Sequence, residues 1–229
     1  MAQTTNQMIE LFERQSARSN KGLSAAVVSS NYQLAAVNCR QGVKARLMRA
    51  LIQWKNGDSP HDLLRETMSF HCDAIDAMKR INGNAKLTDS SIERVGFCAY
   101  LVDANWTPFD LDGFESDRLL DGVLANQLFD RFDKTCWERG MTSLRDCGSS
   151  LAIATYSCYF ELIHSLPQER PAIVAKLEDL FAERKTDSFF SGGDQTEGGG
   201  ADNDVVVDYR LGALAKQVGV QWESRHCWR

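Results

Sequence analysis

The sequence predicts an all-α fold, arranged as a single-domain helical bundle or an irregular array of about seven to eight helices. Three observations lead there. Apolar residues recur at three- and four-residue steps along most of the chain, the pattern of a helix with one buried face. The four prolines (Pro60, Pro108, Pro167, Pro171) fall where that periodicity breaks. Strand signals are scarce: Asn56-Gly57, Asn82-Gly83, Asp112-Gly113 and Asp121-Gly122 all adjoin helical periodicity, and none joins two alternating runs.

The elements follow in order. Leu23, Ala26, Val27, Leu34, Val37, Leu47, Met48, Leu51, Ile52 and Trp54 predict one long helix from about 24 to 56, with Gly42 as a candidate break. "NGDSPHD" stops it, because Gly57 suits a left-handed cap while Ser59 and Pro60 suit a new start. Leu63, Leu64, Met68, Cys72, Ile75 and Met78 line the next helix, which ends at "NGN". A third begins at Asp89 or Ser90 and carries Ile92, Val95, Phe97, Cys98 and Leu101. After Gly113, Leu119, Leu120, Val123, Leu124, Leu128, Phe129 and Phe132 make another stripe. "SSLAIATYSCYFELIHSL" is nearly all apolar; its β-branched and aromatic residues would suit a strand, but about eighteen residues predict a buried helix. Pro167 and Pro171 open a helix with Ile173, Val174, Leu177, Leu180 and Phe181.

The organisation expected is a helical body over 1–190, a Gly-rich flexible loop over 191–204, and a C-terminal helix and tail over 205–229 that docks on the body. Trp222 and Trp228 motivate the docking, since a tryptophan buries a large apolar area when it finds a pocket.

Composition narrows the class. No run of apolar residues is long enough to span a bilayer, and "MAQTTNQMIELFERQSARSNKG" lacks the apolar core of a secretory signal, so a cytoplasmic protein with no membrane partner is expected. Seven widely spaced cysteines with no Cys-x-x-Cys predict reduced thiols in place of disulfides or zinc. Charge is segregated: residues 1–57 carry eight basic against two acidic side chains, and residues 103–133 carry eight acidic against two basic. Nucleic acid would be repelled by the second segment, whereas a basic protein would be drawn to it.

Within "PFDLDGFESDRLLDG" the acids do not match a calcium loop, because counting from Asp110 puts Phe114 at position 5 and Asp121 at position 12. A solvated face, a partner-facing patch and a metal site all stay open for them. The expected partner-binding residues are Asp110, Asp112, Glu115, Asp117 and Asp121, with Trp106, Phe109 and Phe114 as apolar anchors. Catalytic signals are few. The four histidines share no motif, the Gly198–Gly200 run has no following lysine to hold phosphate, and no cofactor is expected. Glu161 and His164, at the spacing of a helical metal motif, support an alternative metal-dependent hydrolase. Arg40, Lys44, Arg46 and Arg49 support another alternative, a nucleic-acid adaptor.

"MRALIQWKNGDSPHDLLRETMSFHCDAIDAM", residues 48–78, is a helix, a Gly-Asp-x-Pro turn and a second amphipathic helix. It resembles the hairpins of tetratricopeptide-like arrays and those of several all-helical immunity proteins, which neutralise bacterial polymorphic toxins by binding them. The resemblance covers 31 residues and carries over no functional residue. It implies a protein-binding module; taken with the acidic segment, an inhibitor of a basic toxin such as a nuclease is expected.

Overall fold

A computed structural model describes residues 5–85, 91–114, 116–147, 150–183 and 210–221. Every regular element among them is a helix: α1 (Thr5–Val28), α2 (Tyr32–Lys55), α3 (His61–Ile81), α4 (Ile92–Leu101), α5 (Ser116–Gln127), α6 (Lys134–Asp146), α7 (Ser150–His164), α8 (Arg170–Glu183) and α9 (210–217). The all-α class holds. The chain divides into two compact units, 1–104 and 105–229, where the sequence suggested one body over 1–190. Thirteen basic and ten acidic residues give the first unit a charge of +3; thirteen and twenty-one give the second -8.

In the first unit α2 packs against both α1 and α3, and α3 against α4. The long helix expected over 24–56 is in fact the end of α1 and all of α2, and the break falls at Ser29–Asn31, not at Gly42. The reason is local capping chemistry. The Ser29 hydroxyl donates to the Ala25 carbonyl at 2.8 Å, Ser30 takes a left-handed φ of 51°, and Asn31 Oδ1 accepts the Leu34 N–H at 3.0 Å. Gly42 serves packing instead. The Phe70 ring of α3 occupies the space where a β-carbon at 42 would stand, so glycine lets the two helices meet.

Gly57 adopts the expected left-handed conformation, φ 84°, and α3 begins one residue after Pro60. Asp89 and Ser90, the expected caps of α4, lie outside the described residues; Ser91 precedes that helix with a left-handed φ of 57°. Buried Ile92, Val95, Phe97 and Cys98 turn α4 inward as the periodicity predicts.

The second unit contains α6, a helix beyond those the sequence predicts. Asp133 caps it by accepting the Cys136 N–H at 2.9 Å, and Cys136, Trp137, Gly140, Met141 and Leu144 form its buried side. The segment that suited either a strand or a helix is α7, with Ala152, Thr155, Tyr156, Cys158, Tyr159 and Leu162 buried. Leu211, Ala213, Leu214 and Ala215 bury α9 in this unit. Two bonds hold its far end: Gln217 Nε2 donates to the Gln127 carbonyl at 2.8 Å, and Arg170 Nη1 donates to the Val218 carbonyl at 2.6 Å. Gly-rich 191–204, Trp222 and Trp228 lie outside the described residues.

Candidate functional site: an acidic loop

Residues 105–114 precede α5 without regular structure, yet their conformation is specified from within. Asn126 on α5 grips the loop at Phe109: its Oδ1 accepts the Phe109 N–H at 3.1 Å, and its Nδ2 donates to the Phe109 carbonyl at 2.8 Å. One side chain thereby satisfies both polar groups of a buried peptide segment, which would otherwise carry a desolvation penalty. Phe109 and Phe114 stack with ring centroids 5.5 Å apart, and Leu111 is buried between them in sequence. Gly113, φ 82°, turns the chain back, and Gly122 on α5 leaves room for Leu111 and Phe114.

Alternation does the rest. With Phe109, Leu111 and Phe114 inward, Asp110 and Asp112 face solvent. Asp110 Oδ1 accepts the Asp112 N–H at 3.0 Å, an Asx turn that fixes the Asp110 carboxylate relative to the backbone two residues on. Burial pushes the Cys136 thiol up, reinforced by its hydrogen bond to Asp133 and, more weakly, by the Asp112 charge. The Cys136 N–H in turn holds the Asp133 carboxyl below the usual range.

The expected binding residues therefore divide. Asp110 and Asp112 are exposed and Trp106 is half-buried. Phe109 and Phe114 are core residues, so they shape the loop and are not surface anchors. Asp121 is also internal. Its Oδ2 lies 2.6 Å from Arg210 Nη2, and its Oδ1 accepts the Tyr156 hydroxyl at 2.7 Å. Glu115 and the Asp117 side chain lie outside what the structure describes.

Arg210 was absent from the sequence reading, and it organises the interior of this unit. Its guanidinium sits 5.4 and 5.5 Å from the Tyr156 and Tyr159 ring centroids. Burial opposes its charge, but the Asp121 carboxylate outweighs burial and holds it firmly protonated. Burial, with Asp121 adding to it, raises the Tyr156 phenol well above its ordinary value. The only available signal was an arginine opening an otherwise apolar stretch, "RLGALA".

The alternative sites fare differently. Glu161 is exposed and meets Lys176 at 3.5 Å, while the His164 ring lies tilted against Phe160 and edge-on to Phe132. Among the described residues no three His, Cys, Asp or Glu converge as a metal ion requires. The basic stripe read as Arg40, Lys44, Arg46 and Arg49 is not one surface. Arg46 is buried against Glu66 and Arg49 pairs with Glu13 and Glu66, because a 100° turn per residue carries them off the face that holds Arg40. The six described cysteines are free thiols, and no described helix is long and apolar enough to cross a membrane. Comparisons with protein-family models, characterised proteins and solved structures give no match to this chain.

Proposed function

We propose that this protein is a cytoplasmic protein-binding module, of the inhibitor or immunity kind, that uses loop 105–114 to receive a basic protein partner and needs no cofactor. One observation carries the reading: a loop without regular structure is held rigid by Asn126, Phe109, Leu111 and Phe114, and the residues turned outward are Asp110 and Asp112. Rigidity before binding reduces the ordering cost that association otherwise incurs. Fixed carboxylates accelerate encounter with a positive partner and disfavour negative ones. The -8 charge of this unit acts in the same direction at longer range. Trp106 is the one aromatic of the expected set that retains surface, and it supplies the apolar contact beside the acids.

Affinity capture from the native host, with the wild type and the Asp110→Lys/Asp112→Lys variant side by side, tests the proposal. A basic protein should be retained by the first and lost by the second, with its association rate reduced by about tenfold or more at low salt. Equal capture by a variant with unchanged circular dichroism defeats the assignment of the loop.

A further inference from the structure

The cations of the first unit are distributed in a way that the acidic loop does not explain. From Arg14 to Gly57 the chain has eight basic side chains and no acidic one. Arg46 and Arg49 are consumed internally by Glu66 and Glu13. Arg14, Arg18, Lys21 and Arg40 are exposed, and among the described residues none has an ion-pair partner. Three of these four stand at i, i+4 and i+7 on α1, so they share one face. That face lies opposite the one that buries Phe12, Ser16, Ser19 and Ala26, and it points directly away from the unit's core. The rises between them are about 6 and about 4.5 Å, a span of about 10 Å. One strand of a duplex carries about three phosphates in that length.

We propose that this outward face of α1 binds the phosphate backbone of nucleic acid, independently of sequence and of the acidic loop's partner. Two features favour nucleic acid over other polyanions. Ser24 is exposed on the same helix near the cations, a side-chain type that joins Arg and Lys in contacting phosphate and sugar. An anionic membrane would need large apolar side chains beside the cations to insert among the lipids. The exposed apolar residues of α1 are Ala17, Ala25 and Val28, too small for that, because its larger ones turn toward the core. This surface is the adaptor role that the sequence suggested, moved from Arg46 and Arg49 to residues that the fold leaves free.

The test is fluorescence anisotropy with a labelled 20-nucleotide single strand and a 20-base-pair duplex over a range of salt. Phosphatidylserine-containing vesicles and polyglutamate serve as competing polyanions. Three neutralised phosphates give a slope of log K against log salt of about -2 for the strand and about -3 for the duplex. Arg14→Gln/Arg18→Gln/Lys21→Gln should bring that slope near zero and weaken binding about tenfold or more at low salt. Arg14→Lys/Arg18→Lys should preserve both. Negligible binding by the wild type, a triple variant that binds like the wild type, or tighter binding to vesicles or polyglutamate than to nucleic acid overturns the proposal.

Discussion

Arg46 and Arg210 are buried to the same extent, each 3% exposed, but their charges are satisfied by different means. Arg46 shares its guanidinium among three acceptors from three places: Glu66 at 3.0 Å, the Asn20 side chain at 2.9 Å and the Gly42 carbonyl at 3.1 Å, with the Phe70 ring against its plane at 3.9 Å. Its acidic partner is 44% exposed and stays largely in water. Arg210 depends mainly on one carboxylate, Asp121, itself 14% exposed, and its Nε finds no partner among the described residues. An arginine beside neutral acceptors and a hydrated acid tolerates the loss of one partner. An arginine committed to a single buried carboxylate does not.

The comparison can be broken most directly at Asp121. Asp121→Ala leaves a buried guanidinium with two neutral phenols and no carboxylate, and should cost about 3–5 kcal/mol in urea denaturation. A loss below about 1 kcal/mol would mean that water reaches Arg210, and the contrast between the two sites would disappear.

A third buried ionisable group sharpens the point by avoiding charge. Burial pushes the His71 imidazole down to about 4, with the Glu93 carboxylate pulling the other way. A folded value below the unfolded 6.5 means that the unfolded chain takes up the proton first, so stability falls as pH drops from about 6.5 toward 4. Between pH 7 and pH 5 this single group should remove about 2 kcal/mol. Denaturation midpoints of the wild type and His71→Leu at the two pH values measure it. The variant should lose less stability on acidification, and parallel losses would refute the assignment.

The smallest effect is expected at Glu66. Glu66→Ala removes a half-exposed partner while Asn20 and the Gly42 carbonyl remain, so about 1 kcal/mol is expected in the same measurement. If it costs as much as Asp121→Ala, the distribution of acceptors confers no tolerance.

The helices were largely legible in the sequence because burial of one face writes a 3.6-residue period, as in α3, where Leu63, Leu64, Ile75 and Met78 are buried as their spacing implies, although Met68 is half-buried and Cys72, read as part of the same stripe, is exposed. The errors arose where two physical readings compete for the same letter. Gly42 reads as a breaker in isolation, but next to the Phe70 ring it is a space. Ser29-Ser30-Asn31 reads as a continuation, but its side chains cap two helices. The acidic loop was legible in its charges and not in its orientation. Nothing local distinguishes Phe109 as core from Phe109 as anchor, because the deciding contact comes from Asn126, seventeen residues onward. Asp121 was lost for the same reason at greater range, since its partner is 89 residues away.

That separation has a temporal side. The first unit closes its polar network with pairs 20 to 36 residues apart, all available once about a third of the chain has been made. The second cannot seat α9 or neutralise Asp121 until residue 210 has left the ribosome. At about 5–20 residues per second, the roughly ninety residues between Asp121 and Arg210 take on the order of ten seconds to synthesise. Throughout that interval the nascent second unit carries a vacant apolar seat and an uncompensated carboxylate, so the newborn chain is half native and half in need of protection.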